Sequence, residues 1–246
     1  MNTVVIASSI CSQIYSKQPE VDMFPCISVE NMRQSDAYTI EYFVSGLELM
    51  YRAALGVYKA HTWKDPIAIV VGSGNNGGDG YALAAILKEN GFDCTVFKVS
   101  EKISADAAYY AEKAIMSAVP VCTFATGCLN GFRTVVDCLL GTGFQGVVRG
   151  NYRSAIEEIN ASEAFVVSVD INSGMNGDSG EAELAVLSDL TVTIGYVKTG
   201  LVAEHAGQYM KRLVCADIGI VLVKEEAYIT SENCPPWLDM NIISVP

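Results

Sequence analysis

From Pro66 onward the chain alternates short apolar runs with stretches of helical period, and one glycine-rich string joins the first run to the first helix. Ile67–Val71 is apolar at every position, as expected of a strand covered on both faces. The string Gly72-Ser73-Gly74-Asn75-Asn76-Gly77-Gly78-Asp79-Gly80 follows at once, with five glycines in nine residues. Tyr81–Asn90 then carries Leu83, Ile86 and Leu87 on one helical face, and Gly91 stops it. Further strands are expected at Cys94–Val99, Val121–Phe124, Thr134–Leu140, Phe165–Ile171, Leu190–Gly195 and Arg212–Asp217. Helices at Ser104–Ala118 and Tyr152–Asn160 fall between them, and a loop holding Lys198 and His205 precedes the last strand. Such alternation implies an α/β fold with a mainly parallel sheet and helices on both faces.

Upstream, a helix is expected over Val29–Phe43. In a second, Leu47, Met50, Tyr51, Ala54, Leu55 and Tyr58 form a stripe at spacings 0, 3, 4, 7, 8 and 11. Residues 1–27 show no sustained period and read as an irregular arm. Residues 231–246, with Cys234-Pro235-Pro236, read as a tail, which leaves one domain over 28–230.

Composition narrows the function. The 16 Lys+Arg against 28 Asp+Glu give a net charge of −12, with 50% hydrophobic residues and 18% charged ones. That balance belongs to a folded core, and it disfavours nucleic acid as a partner, because phosphate neutralisation needs basic residues. An anionic small ligand requires backbone N–H groups and a few placed cations instead. No apolar run nears the ~18–20 residues of a membrane span, and Val4–Ala7 lacks a preceding basic residue, so no membrane partner is expected. Eight cysteines without a C-x-x-C pair, beside two histidines, exclude zinc spacing; reduced thiols in a cytoplasm are expected.

Gly72, Gly74 and Gly77 match G-x-G-x-x-G, and a loop entering a helix N-terminus presents free N–H groups to an anion. The dinucleotide fingerprint also expects an acid about 20 positions on, and Lys98-Val99-Ser100 stands there instead. An ordinary NAD-dependent oxidoreductase is thereby disfavoured. Three more strand ends carry polar groups: Asp137 before Gly141-Thr142-Gly143-Phe144-Gln145-Gly146, Asp170 before Ile171-Asn172-Ser173-Gly174, and Lys198 after Thr193-Ile194-Gly195. In doubly wound sheets ligands lie outside such carboxyl ends, and buried charges need partners.

These pieces, with Glu48-Leu49-Met50 and Ala216-Asp217-Ile218-Gly219-Ile220, resemble the NAD(P)H-hydrate epimerases, the YjeF N-terminal domain, over about Met32 to Ile220. The resemblance implies a three-layer α/β/α Rossmann-like sandwich. It also implies an isomerase that interconverts the R and S epimers of hydrated NADH and NADPH in cofactor repair, in functional link with a separate dehydratase. A catalytically inactive binding or scaffold domain of the same fold is the alternative. Asn172, Val197 and Thr199 stand where the family usually has proline. The oligomeric state stays open, with a homodimer as the state to test.

The resemblance further implies that the backbone of Asn75, Asn76, Gly77, Gly78 and Asp79 and the loop Gly141, Thr142, Gly143, Phe144, Gln145, Gly146 and Val147 cradle the dinucleotide, with Arg149 nearby. It assigns a potassium ion to Asn76, Asp137 and Ser173, whose amide, carboxylate and hydroxyl oxygens are hard ligands. Asp170 and Lys198 are the expected catalytic pair, with Asp170 also binding substrate. The reacting carbon bears a hydroxyl and the ring nitrogen, so breaking either bond requires proton transfer at a heteroatom.

Overall fold

The computed structural model describes residues 23–245. At its centre lies an eight-stranded sheet, parallel at every pairing. Its strands are β2 (Ile67–Val71), β3 (Cys94–Lys98), β4 (Val121–Thr123), β5 (Thr134–Cys138), β6 (Phe165–Val169), β7 (Leu190–Ile194), β9 (Leu213–Asp217) and β11 (Leu238–Ser244). Their spatial order is β11-β9-β7-β6-β5-β2-β3-β4. The chain runs outward from β2 to β4, returns to the other side of β2 at β5, and builds outward again. Between β2 and β5 therefore lies the switch point where such sheets bind ligands.

One face of the sheet is covered by α2 (Gly46–Ala60), α3 (Asn75–Glu89) and α4 (Ala105–Met116). Ser45 caps α2 through the N–H of Glu48, in the spacing of a capping box, and Ser104 caps α4 through Ala107. On the other face Ala155, Ile156 and Ile159 of α5 (Gly150–Ala161) pack on Ala68, Val70 and Val135. The rest of that layer is a small sheet in which β1 (Phe24–Ile27) lies between β10 (Ala227–Ile229) and β8 (Val197–Lys198). α1 (Val29–Tyr42) leaves β1 directly.

Three expectations change. α3 begins at Asn75 rather than Tyr81, so the glycine string forms its first turns. Phe24–Ile27, expected in the irregular arm, is a strand, while residues 1–22 of that arm lie outside the described residues. The stretch expected as a tail supplies β11, which closes the sheet edge beside β9 and is tied by the Arg212–Asp239 ion pair at 2.6 Å. Cys94, Cys138 and Cys215 are buried in strands with free thiols, and burial pushes Cys94 up to about 11. No described helix is long and apolar enough to cross a membrane.

Candidate functional site

A cavity of about 680 Å³ opens at the switch point. Ser73–Asn76 follow β2 and Leu139–Gln145 follow β5, and both segments line it. Asp170 and Lys198 form the floor, and Met32, Asp36 and Ile40 of α1 form the opposite wall. Gly74 is the N-cap of α3 and makes no side-chain cap, so the N–H groups of Asn75, Asn76 and Gly77 have no intrahelical acceptor. The helix dipole adds a partial positive charge at that point.

Asp170 follows β6 with φ of 70°, a left-handed conformation that is uncommon outside glycine. Its N–H is held by the Val192 carbonyl at 2.8 Å, which locks the turn and aims the carboxylate at the cavity. Lys198 Nζ pairs with Asp170 Oδ1 and also donates to the Ile194 carbonyl at 2.7 Å and Thr193 Oγ1 at 3.1 Å. The lysine side chain is 1% exposed and the aspartate 16%. Lys198 sits in β8 rather than in a loop, paired in register with Ile27 of β1. Strand pairing thus holds it where the family's flanking prolines are missing. Asn172 is fully buried; its amide N–H₂ reaches the Val186 and Tyr209 carbonyls, both at 2.9 Å, and Thr191 Oγ1 donates to its carbonyl oxygen at 2.6 Å. Side-chain bonds there do the work of a stiff ring.

Asp137 faces Ser168 across β5 and β6 and is fully buried. Its carboxylate accepts from Ser168 Oγ, the Ser173 N–H and the Leu139 N–H at 2.9, 2.9 and 3.2 Å, and from Ser173 Oγ. Burial pushes this carboxyl up, and those bonds oppose the rise. Asn76 stands outside that network. It is 8% exposed, and neither its amide oxygen nor its amide nitrogen has a hydrogen-bond partner. An unpaired buried amide costs ~1–3 kcal/mol, which a bound group would relieve.

Of the expected substrate-binding residues, Asn75, Asn76, Asp79, Gly141, Thr142, Gly143, Phe144, Gln145 and Asp170 line the cavity. Gly77 and Gly78 do not: a Cβ on Gly77 would strike the Gly72 carbonyl oxygen, and one on Gly78 would lie 2.6 Å from Met50. Their glycine character serves packing. Gly146 lines an adjoining depression, and Val147 and Arg149 are exposed away from the cavity. Gly141 sits where a Cβ would come within 3.2 Å of Asp170 Oδ2 and 3.3 Å of Asn76 Cβ. Sequence reasoning missed Asp36, and it gave Asp79 only a backbone role. Burial lifts the Asp36 carboxyl to about 6, with Lys198 opposing and Asp170 adding. Burial, then Asp170 and Asp36, push Asp79 well above its ordinary value.

Fold and site together define a doubly wound α/β domain in which an uncapped helix N-terminus and a carboxylate–lysine pair face one cleft. The family model for the YjeF-related protein N-terminus matches residues 46–200. The chain belongs to that family. Similar proteins include an NAD(P)H-hydrate epimerase of Limosilactobacillus reuteri, 37% identical over 80% of this chain and 97% of its own length. Another, from Limosilactobacillus fermentum, is 35% identical over 78% and 95%. A bifunctional NAD(P)H-hydrate repair enzyme of Coxiella burnetii is 35% identical, with 84% of this chain matching 44% of that protein. The crystal structure of yeast YNL200c superposes with a TM-score of 0.68 at 19% identity, over 83% of this chain and 99% of that one, which shows the shared fold.

Proposed function

We propose that this protein is an NAD(P)H-hydrate epimerase, interconverting the R and S epimers of hydrated NADH or NADPH, with Asp170 and Lys198 at the reacting carbon. The observation that carries the assignment of roles is the buried Asp170–Lys198 pair at the floor of the switch-point cavity. The N–H groups at the start of α3 and the Gly141–Gln145 loop receive the pyrophosphate, which suits a chain of net charge −12. Asp170 takes the proton from the hemiaminal hydroxyl or from an attacking water, and its negative charge stabilises a developing cation on the ring. Lys198, held by three acceptors, fixes the direction of that carboxylate.

Potassium fits the same reading. Asn76 supplies an unpaired buried amide oxygen at the cavity, and Asp137 of β5 and Ser173, which is hydrogen-bonded to it, supply hard oxygens. When bound, the ion adds a fixed positive charge near the anionic ligand. A crystal grown with rubidium is expected to show anomalous density among these three side chains, and density elsewhere or none rejects the site. The match to part of a bifunctional repair enzyme supports a functional link to a dehydratase that consumes one epimer.

The test is epimer interconversion followed by chromatography, above the spontaneous background and without net redox change. Wild-type protein is expected to equilibrate a single purified epimer. Binding without interconversion would instead identify a scaffold domain.

A further inference from the structure

Epimerisation moves protons at two points, and one carboxylate–lysine pair accounts for only one of them. Among the described residues four aspartates line the cavity with Lys198: Asp170, Asp79, Asp36 and Asp106. Asp170 is paired with the lysine, whereas no hydrogen-bond donor offsets the burial of Asp36 or Asp79. The same cavity holds the unpaired amide of Asn76, so it is built to receive a polar ligand and is more than a cluster of acids.

The aim of Asp36 is set by α1. Asn31, Ser35 and Thr39 recur every four residues and are buried. Asn31 Nδ2 donates to the Lys224 carbonyl at 2.7 Å, while Ser35 and Thr39 hydroxyls accept from the N–H groups of Val223 and Val221 at 3.2 and 2.9 Å. That polar seam fixes the rotation of the helix. The next seam, Met32, Asp36 and Ile40, is thereby turned into the cavity, on the wall opposite the sheet.

Resting on the epimerase reading, we propose that Asp36 is a second proton-transfer residue of the reaction, the acid that works with Asp170 as base. If the carbon–oxygen bond breaks, Asp36 gives its proton to the hydroxyl oxygen, the bonding pair leaves with that oxygen as water, and the ring nitrogen lone pair forms the iminium. Water then adds to the other face and gives a proton to Asp170. If the carbon–nitrogen bond breaks, Asp170 takes the hydroxyl proton as the carbonyl forms, the bonding pair goes to nitrogen, and Asp36 protonates it. Reclosure on the other face reverses both transfers. Either way no oxidant enters, and the carboxyls re-equilibrate through the open cleft.

The groups that face Asp36 are Asp170 and Lys198 from the sheet, Asp79 from α3 and Asp106 from the first turn of α4; Arg33, one turn back on its own helix, is engaged with Glu30. Burial keeps the proton on Asp36 and places its titration at about 6, with Lys198 opposing and Asp170 adding.

The test compares wild type with Asp36→Asn and Asp36→Glu across pH 4.5–8.5, background subtracted, with carboxyl ¹³C NMR to read the titration directly. The expected result is a wild-type kcat/KM that falls above about pH 6. In Asp36→Asn that limb is absent and kcat drops by about 10²-fold, and Asp36→Glu restores part of it. Asp36→Asn activity within about twofold of wild type overturns the proposal, as does a change confined to KM with the limb retained. An Asp36 resonance that titrates in the ordinary carboxylate range overturns it even if the variants fail to fold. A wild-type protein without activity above background sinks the epimerase reading and this proposal together; active wild type with a normal Asp36→Asn sinks this proposal alone.

Discussion

Two glycines three residues apart are expected to fail in opposite ways. Gly77 lies under the first turn of α3, where an added Cβ would strike the carbonyl oxygen of Gly72. That neighbour is backbone in the β2–α3 turn and has no rotamer to give. Overpacking of this kind reaches about 3 kcal/mol, and the better helix propensity of alanine returns at most about 1. Gly77→Ala should therefore lose about 2 kcal/mol, or ~4–8 °C in Tm at this chain length. Gly74 has open space around the position of its Cβ and an extended backbone with φ of −94°. An aspartate there can cap α3, which favours stability by several tenths of a kcal/mol. Its charge would stand where the ligand phosphates are received, so Gly74→Asp should fold normally and bind NADH or NADPH at least about tenfold more weakly. Thermal melting and calorimetric titration of both variants separate the two effects. Wild-type melting of Gly77→Ala, or wild-type binding by Gly74→Asp, would show that the two glycines do not divide packing and ligand access in this way.

Asp170→Asn leaves the ammonium of a 1% exposed lysine unpaired, whereas Lys198→Met leaves a carboxylate with 16% exposure. Both should abolish most activity, but Asp170→Asn should melt lower, and the double variant should regain stability without activity; equal melting of the single variants would contradict the burial argument. The Asp36 carboxyl titrates higher in the folded chain than in the unfolded one, so the folded state binds more protons and loses stability as pH rises through about 6. Asp36→Asn should then melt higher than wild type at pH 8 but not at pH 4, by less than the ~3 kcal/mol that two pKa units represent, because the group is partly exposed; a gain at pH 4 alone would reverse the sign. Asn172→Ala should lose ~2–4 kcal/mol by stranding the buried partners of its amide, visible as a lower urea midpoint, and an unchanged midpoint would mean that the loop is stiffened elsewhere.

The parallel sheet was readable because β-branched runs such as Ile67–Val71 have few other uses, and the strand-end charges Asp170 and Lys198 stood out against apolar neighbours. What escaped has physical causes. Gly77, Gly78 and Gly80 carry a helix penalty, so local propensity argues against the first turns of α3. Tertiary packing overrides it, since side chains there would meet Gly72, Met50 and Cys138. β11 follows two prolines and alternates apolar residues with Asp239 and Asn241, as an edge strand can. Asp36 belongs to a helix in which polar Asn31, Ser35 and Thr39 recur every four residues and are buried. Only the carbonyl and N–H groups of 221–224 that bond to those side chains reveal that this polar seam faces inward.

The least legible element, β1, ties the site together. Its residue Ile27 pairs with Lys198, and one residue later Ser28 caps α1 while its own N–H is held by Glu226 at 2.6 Å. The position of the lysine and the entry angle of the Asp36 helix are thus set by the same four-residue strand. The two walls of the cavity, one supplied by the sheet and one by α1, share a single anchor that precedes both in sequence. A change in the register of β1 would move Asp36 and Lys198 at the same time. Strand pairing by β1 and the cap at Ser28 therefore place Lys198 and the Asp36 helix together around the one cavity.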